Sequence, residues 1–350
     1  MSFTLPHRFE DRTLVVAEAG VNHGGDLEVA LEMVAAAAGA GIDVVKFQTY
    51  TAGRLATRSS EAYWDRTKEP TATQFELFSR YDRLGPDDYG ALADACRGHG
   101  LIFLTTPFDV EAVDWLDELV PAWKVASADL TNALLLERLG RTGKPVLLST
   151  GAGTLEEVAA AVGLLERAGA PVVALLHCTL SYPTAAADAA VGALVALAQA
   201  FPGRPLGYSD HTVGADSFAA IAAAVALGAR IVEKHYTLDA TLPGNDHYHA
   251  FEPAEFRRLR EELDRLALLL GSPEKRVLEV EEPARLHARR SLVSRVAIPA
   301  GTVVAPEMLD VKRPGTGIEP AQLPHVVGAR AAVDIPEDTT LVWDLLDRVG

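Results

Sequence analysis

The chain has 350 residues, of which 49% are hydrophobic and 23% charged, so its length suits one large globular domain with a small second domain. A formal net charge of −16 argues against a nucleic-acid partner and against an anionic membrane surface. We find no signal-peptide pattern and no apolar run of transmembrane length, and the two cysteines, Cys96 and Cys178, lie in helix-like and strand-like contexts. These features predict a cytoplasmic protein with reduced thiols.

Eight apolar, β-branched runs recur in the first two thirds of the chain, and helical spacing separates them. The runs begin at Leu14, Asp43, Leu101, Ala122, Pro145, Val172, Pro205 and Arg230. The helical patterns include residues 27–39, 87–98, 110–119, 154–169 and 215–228. This alternation predicts a parallel sheet covered by helices, and eight units predict a TIM barrel. A doubly wound open sheet is the alternative, but no Gly-rich dinucleotide loop follows the first run.

Residues 205–239 predict a strand, a helix and a second strand, and each strand ends in a histidine. A period of two places His211 on the face of Ser209, and His235 on the face of Glu233. Because a short βαβ connection makes the strands parallel neighbours, both imidazoles are expected at equivalent strand ends. We predict that the two histidines bind one divalent metal ion. The alternative is that each is a hydrogen-bonded residue of the barrel rim.

The same period of two predicts a ring of polar side chains at the carboxyl ends of the strands, where TIM-barrel active sites lie. The residues that project inward or at the rim are Glu18, Lys46, Gln48, Thr106, Lys124, Ser149, Ser209, His211, Glu233 and His235. A single lysine at such a position is most simply a solvated rim residue. Two lysines, two carboxylates and several hydroxyls that converge predict a binding site for an anion.

Two long connections interrupt the short loops of the predicted barrel. Residues 51–81 carry Tyr63, Trp64, Phe75 and Phe78, and we interpret them as a lid or as a short helical excursion on the barrel mouth.

The second long connection, residues 238–253, offers Asp246, His247 and His249. We expect the two loop histidines to be surface residues and only Asp246 to belong to a site. A helix over residues 254–270 then closes the barrel, followed by a linker over residues 271–283.

The pattern changes after His287, where short strand-like segments alternate with Pro and Gly turns. We predict a barrel domain of residues 1–280 and a mostly β domain of residues 281–350. The second domain is expected to have little core of its own, and to pack on the barrel or on a second chain.

These motifs resemble those of the sialic acid synthases (N-acetylneuraminate synthases) and their nonulosonate synthase relatives. The matching segments are VAEAGVNHGG from Val16, KFQ from Lys46, TPFD from Thr106, KVAS from Lys124, LLSTG from Leu147, LLHCT followed by YP at Tyr182, GYSDHT from Gly207, EKHYTLD from Glu233, PGNDH from Pro243, RRSLV from Arg289 and KRPGTGI from Lys312. The resemblance implies a TIM barrel followed by an antifreeze-like (SAF) domain. It also implies condensation of phosphoenolpyruvate with the open-chain aldehyde of an N-acylated hexosamine, which yields a 2-keto-3-deoxy sugar acid and phosphate.

By this resemblance His211 and His235 bind the metal, Mn²⁺ in the first place with Mg²⁺ or Co²⁺ as alternatives, and Glu18 handles the proton of the attacking water. The phosphoenolpyruvate pocket is expected to consist of Lys46, Thr106, Lys124, Ser127, Ser149 and Ser209. The sugar is expected to contact Gln48, Asp129, Tyr182, Asp246 and Arg313. Arg313 matches an arginine that reaches the partner subunit's site, which implies a domain-swapped homodimer.

Three departures from the family pattern leave the acceptor sugar open. Asp129 stands where many members have Glu, Leu180 where they have Asn, and Thr316 where they have Asn. Because a missing hydrogen-bonding partner changes substrate discrimination strongly, the acceptor need not be N-acetylmannosamine. A diacetamido precursor of legionaminic or pseudaminic acid is one alternative.

Two other functions are compatible with the same barrel. One is a Schiff-base aldolase with Lys124 as the nucleophile. The other is a sugar-binding homologue without catalytic activity, although Glu18, Lys46 and Lys124 are all in place.

Overall fold

The computed structural model describes residues 11–244 and 246–347. The chain divides into two compact units, residues 1–273 and 274–350. The domain boundary that the sequence suggested, after residue 280, lies a few residues beyond this division.

The first unit is built on an eight-stranded parallel sheet. Its strands are β1 (Leu14–Gly20), β2 (Val44–Thr49), β3 (Ile102–Pro107), β4 (Trp123–Val125), β5 (Val146–Ser149), β6 (Val173–His177), β7 (Leu206–Asp210) and β8 (Ile231–His235). Hydrogen bonds connect them in the order β3-β2-β1-β8-β7-β6-β5-β4, and β3 also contacts β4, so the sheet closes on itself. The predicted TIM barrel is confirmed, with all eight strands at the predicted runs.

Helices follow the strands, and most of them cover the outside of the barrel. They are α1 (Leu27–Ala38), α2 (Ala52–Leu55), α3 (Gln74–Tyr81), α4 (Pro86–Gly98), α5 (Val110–Leu116), α6 (Ala133–Gly140), α7 (Leu155–Ala168), α8 (Ala193–Ala200), α9 (Ala215–Ala226) and α10 (Pro253–Leu270). Side-chain caps define several starts: Asp26 accepts from two backbone amides at the start of α1, and Thr154 forms a capping box with Glu157 at the start of α7. In the described ranges, no helix has the length and apolar content to cross a membrane.

One apolar layer lies outside the ring of strands and a second lies inside it. The larger one lies between strands and helices. The smaller one contains Val16, Val44, Leu104, Ala122, Leu147, Ala174, Leu176 and Ile231, which alternate along their strands with residues of the larger layer. In β1, for example, Val16 precedes Glu18 by two residues on the same face, as Val44 precedes Lys46 in β2. The barrel interior is therefore apolar below and polar at its carboxyl-terminal mouth.

The second unit contains short strands and helices. They are α11 (Glu282–Ala288), β9 (Ser291–Ser294), β10 (Leu309–Lys312), α12 (Leu323–Val326), β11 (Arg330–Ala331) and β12 (Leu346–Asp347), with β9–β10 and β11–β12 paired antiparallel. Its buried apolar cluster consists of Leu292, Ile298, Val304, Ile318, Val326, Ala329, Ala331, Ile335, Leu341 and Leu346. The expectation of little core was therefore wrong, because residues far apart in the sequence combine into one core. Since α11 begins at Glu282, the end of the predicted linker is helical.

Gly207 of β7 gives a test of how tightly the barrel interior is packed. A Cβ atom at this position would lie 2.7 Å from Leu176 Cγ and 2.8 Å from the backbone oxygen of Ile231. Because that oxygen belongs to the neighbouring strand, it moves only if β8 moves. We expect Gly207→Ala to lower the free energy of unfolding by about 1–3 kcal/mol or more, measured by urea and thermal unfolding.

Gly192→Ala is the matched control, because a Cβ atom there meets nothing within 4 Å. Equal unfolding midpoints for the two variants would contradict the tight packing of β7 against β8.

Candidate active site

A cavity of about 50 Å³ at the mouth of the barrel is lined by all ten residues that strand parity selects. Its lining also includes Phe108, Ala126, Ser127, Cys178 and Tyr182. We call this the inner cavity. Ser127 and Tyr182, which were predicted on resemblance alone, therefore lie beside the ten.

Strand register places the key side chains of the inner cavity in rows across the sheet. Glu18 of β1 pairs with Lys46 of β2 on one side and with His235 of β8 on the other. Ser209 of β7 pairs with Glu233 of β8 in the next row. Neighbouring residues of one row necessarily lie close together, so the ring follows from the register.

Lys46 is buried and paired with two carboxylates. Its Nζ contacts Glu18 Oε2, lies 3.7 Å from Glu233 Oε1 and donates to Thr106 Oγ1 at 3.1 Å. Burial lowers the pKa of Lys46, but Glu18 and Glu233 outweigh burial and leave this pKa raised. Lys46 therefore carries its positive charge inside the barrel.

Lys124 lies on the other side of Glu233 in a different electrostatic setting. Its Nζ donates to Ser149 Oγ at 2.7 Å and lies 3.7 Å from Glu233 Oε1. Burial lowers the pKa of Lys124, and Glu233 only partly compensates, so this pKa stays below its ordinary value. The two lysines thus differ in how easily they lose a proton.

The pKa values of the two carboxylates of the ring also shift in opposite directions. Burial and the nearby Glu233 raise the pKa of Glu18, against the opposing charge of Lys46. Burial also raises the pKa of Glu233, but Lys124 and Lys46 outweigh it and leave this pKa lowered. Gln48 Nε2 donates to Glu18 Oε1 at 2.8 Å and fixes its orientation. Such a divergence is typical of carboxylates with different roles in acid–base chemistry.

The rings of His211 and His235 are neighbours, with centroids 5.5 Å apart and an interplanar angle of 65°. His211 Nδ1 lies 2.9 Å from the backbone oxygen of Thr179, and since a carbonyl only accepts, this nitrogen carries the hydrogen. The Nε2 lone pair of His211 is therefore left for a ligand. Burial lowers the pKa of His211 to about 4 and that of His235 well below its ordinary value, so both imidazoles are neutral at pH 7. Neutral imidazoles suit a divalent metal, and the hydrogen bond to Thr179 orients that of His211 for this role.

The two loop histidines are buried, which corrects the expectation that they are surface residues. His247 is 9% exposed and His249 only 2%. His247 Nδ1 lies 2.8 Å from Thr237 Oγ1, whereas the ring of His249 packs 4.6 Å from that of His235. Periodicity gives no guide to side-chain direction in a loop, so the only sequence signal was the run of polar residues beside Asp246.

A second cavity of about 340 Å³ adjoins the inner cavity, and we call it the outer cavity. The two share Gln48, Phe108, Ala126, Ser127, Tyr182 and His235 in their linings. The apolar part of the outer wall consists of Leu55, Tyr63, Trp64, Leu77, Phe78, Tyr81 and Leu180. Residues 51–81, which contain the helices α2 and α3, thus supply all of these side chains except Leu180.

Asp246 is the main carboxylate of the outer cavity. Burial, followed by the charge of Glu18, raises the pKa of Asp246 to about 7. Its backbone oxygen accepts from Asn22 Nδ2 at 3.3 Å, which ties the second long connection to the loop after β1.

Two predicted sugar-binding residues do not line either cavity in the described part of the chain. Asp129 ends a short 3-10 turn, and its Oδ1 accepts from Asn132 Nδ2 at 2.8 Å. Arg313 belongs to the second unit, where it follows β10 and is exposed. Their roles stay predictions.

A buried ion pair that sequence analysis missed lies directly behind the two histidines. Lys234 Nζ donates to Asp210 Oδ2 at 2.7 Å and to the backbone oxygen of Thr212 at 2.6 Å, and both charged side chains are fully buried. Asp210 precedes His211 and Lys234 precedes His235, so the pair fixes the two strand ends that carry the imidazoles. The sequence signal was a charged residue beside each histidine at the opposite parity.

We expect Lys234→Met to lower the free energy of unfolding by about 3–5 kcal/mol, because it leaves the Asp210 carboxylate buried without its cation. Adding Asp210→Asn should restore part of the loss, which a double-mutant cycle by urea unfolding measures.

Lys312→Met is the matched control, since Lys312 makes an ion pair of the same length, 2.7 Å, with Asp338, but both side chains are exposed. Its cost should be far smaller than that of Lys234→Met, because solvent screens an exposed ion pair. Equal losses for Lys234→Met and Lys312→Met would contradict a special role for the buried pair.

Comparison with known proteins agrees with this architecture. The sequence matches the NeuB family over residues 33–275 and the SAF domain over residues 289–347. The chain is 36% identical to the N,N'-diacetyllegionaminic acid synthase of Legionella pneumophila, with 95% of this chain and 94% of the relative covered. It is 32% identical to the N-acetylneuraminate-9-phosphate synthase of Homo sapiens, with 96% and 93% covered.

A solved structure is similar as well: the N-acetylneuraminic acid (sialic acid) synthetase of Leptospira borgpetersenii in complex with citrate. It superposes with a TM-score of 0.70 at 34% identity, over 79% of this chain and 90% of that chain. The family match covers more than half of the chain, and the named relatives are aligned over nearly their whole length. This protein therefore belongs to the NeuB family, with a SAF domain after its catalytic barrel.

Proposed function

We propose that the protein condenses phosphoenolpyruvate with the open-chain aldehyde of an N-acylated hexosamine, in a reaction that depends on a divalent metal ion. The products are a nonulosonic (sialic-acid-like) acid and phosphate. The observation that carries this proposal is the buried ring of two lysines and two carboxylates beside two neutral imidazoles. Relatives named as synthases of diacetyllegionaminic acid and N-acetylneuraminate 9-phosphate support it.

Phosphoenolpyruvate is proposed to bind in the inner cavity. Its carboxylate and phosphate oxygens would accept from Lys46, Thr106, Lys124, Ser127, Ser149 and Ser209. Charge-assisted hydrogen bonds of this kind are strongest where water is excluded, and all six residues are buried.

Charge balance in the ring is the physical argument for a cation. Lys46 and Lys124 face Glu18 and Glu233 at short range, so the ionised ring has no net positive charge to hold a multiply charged anion. His211 and His235 would hold the ion that supplies this charge, with Mn²⁺ proposed first and Mg²⁺ or Co²⁺ as alternatives. A cation there would also polarise the aldehyde oxygen as a Lewis acid.

The proposed reaction forms a bond between C3 of phosphoenolpyruvate and the aldehyde carbon, while water adds to C2 and phosphate departs. Glu18 is proposed to orient that water and to accept a proton from it. The raised pKa of Glu18 lies closer to the working pH than that of an ordinary carboxyl group, as suits a general base. Gln48 holds Glu18 in place through the 2.8 Å hydrogen bond.

The outer cavity is proposed to hold the sugar. Gln48, Tyr182 and Asp246 line it and would contact the hydroxyl and acylamino groups. Its remaining wall is largely apolar, and Leu180 lies where many family members carry Asn. We therefore propose an acceptor with a second acylamino group and fewer free hydroxyls than N-acetylmannosamine.

We also propose a domain-swapped homodimer, in which the partner subunit's Arg313 reaches the N-acyl group of the sugar. The exposed position of Arg313 after β10 is compatible with such a contact. Because phosphoenolpyruvate is a cytoplasmic metabolite, we propose a cytoplasmic location.

Phosphate release is the direct test of the proposed reaction. Purified protein should release phosphate from phosphoenolpyruvate only when both an N-acylated hexosamine and a divalent metal are present. His211→Ala should lower kcat/KM at least ~100-fold, because it removes a proposed metal ligand. His99→Ala, at an exposed residue directly after α4, is the control. Full activity of chelated protein, or of His211→Ala in chelator, would refute the metal-dependent reaction.

The acceptor preference can be tested with the same assay. A diacetamido-trideoxyhexose should exceed N-acetylmannosamine in kcat/KM, and Leu180→Asn should shift the ratio toward N-acetylmannosamine by roughly 10- to 100-fold. An unchanged ratio in Leu180→Asn would show that this wall does not select the acceptor.

A Schiff-base aldolase is the second candidate, because burial lowers the pKa of Lys124. Borohydride trapping of a pyruvate adduct on Lys124, without phosphate release, would favour it. Sugar binding by calorimetry without phosphate release for any acceptor would instead favour a non-catalytic homologue.

A further inference from the structure

His249 is a buried imidazole in the connection between β8 and α10. It is 2% exposed, and neither ring nitrogen has a hydrogen-bond partner among the described residues. A buried polar group without a partner costs free energy, so such a residue is expected to contact a bound water molecule or ion. His235 Nδ1 is buried and without a hydrogen bond in the same way.

The neighbours of His249 are themselves metal-binding side chains. One donor atom each of His235, Asp246 and His249 lies within 4.8 Å of the other two. Ligands about 2.0–2.2 Å from a common ion are separated by less than about 4.4 Å, so small side-chain movements bring all three into contact with one cation. The ring centroid of His211 lies 5.5 Å from that of His235 and 6.4 Å from that of His249, so the three imidazoles form one cluster.

We propose that His249 is a further ligand of the divalent cation, together with Asp246 and the pair His211 and His235. The inference rests on the proposed metal-dependent synthase and names which residues of this chain complete its cation site. Asp246 would then serve the ion as well as the sugar.

The rings around His249 hold it in place for this role. Its centroid lies 5.6 Å from that of Tyr182 and 5.1 Å from that of Tyr248. Tyr248 Oη in turn donates to the backbone oxygen of Tyr182 at 3.0 Å, which ties the loop to the barrel mouth. The imidazole is therefore positioned before any ion binds.

A third imidazole changes which ions the site prefers. Nitrogen ligands favour the later first-row divalent ions, whereas Mg²⁺ prefers oxygen. Compared with a site of two histidines, this site should bind Co²⁺ and Zn²⁺ more tightly and select more strongly against Mg²⁺. It should also keep fewer positions open to water.

Metal binding by the full-length, chelator-stripped protein tests the proposal without an activity assay. Titration calorimetry with MnCl₂ and CoCl₂ should show at least ~10-fold weaker binding by His249→Phe and His249→Ala, and a larger loss for Co²⁺ than for Mn²⁺. His247→Ala is the matched control from the same loop, since His247 Nδ1 is hydrogen-bonded to Thr237 Oγ1. This substitution should change the Kd by less than about 3-fold.

Unfolding in chelator separates a ligand from a structural residue. His249→Phe keeps an aromatic ring against Tyr182 and Tyr248 but removes two unpaired nitrogens, so it should melt at or above the wild-type temperature. A His249→Phe variant that melts lower and binds metal normally would overturn the proposal.

The outcomes also distinguish this inference from the proposed function. Loss of metal binding in His211→Ala with an unchanged Kd in His249→Phe refutes the role of His249 alone. A wild-type protein that binds no cation and still releases phosphate in chelator refutes both.

Discussion

The ion pair between Asp210 and Lys234 is the constraint on which the site depends. Both side chains are fully buried, and they connect the ends of β7 and β8 on the side away from the cavity. Because each is the direct neighbour of a histidine, their pairing fixes the direction in which His211 and His235 point. A buried ion pair of this kind costs desolvation free energy, and here it fixes the orientation of the two imidazoles.

The inner cavity is electrostatically balanced, although the whole chain is strongly acidic. Two lysines and two carboxylates interact inside the barrel, and the lysine pKa values differ because Lys46 contacts Glu18 whereas Lys124 does not. An anionic substrate must compete with these carboxylates for the lysines. In the proposed reaction, a cation held by the neutral imidazoles beside the ring would supply additional positive charge and couple binding of the anion to binding of the cation.

The strands and the inward residues of the barrel could be predicted from sequence, because alternation along a strand is a local property. Lys46 and Glu233 were placed correctly in this way, as was His235. Their mutual pairing depends on the register between strands, which no local pattern reveals. The burial of His249 could not be predicted, since a loop side chain takes its direction from tertiary contacts.

The two cavities are built from different parts of the chain. The inner one is made largely by strand ends, whose side chains are fixed by the register of the barrel, whereas half of the outer lining comes from residues 51–81 and 238–253. Substitutions in those connections alter the outer wall without disturbing a strand. Under the proposed function, in which the outer cavity holds the acceptor sugar, acceptor choice can change while the inner cavity stays the same, and these loops become the natural place to redesign substrate range.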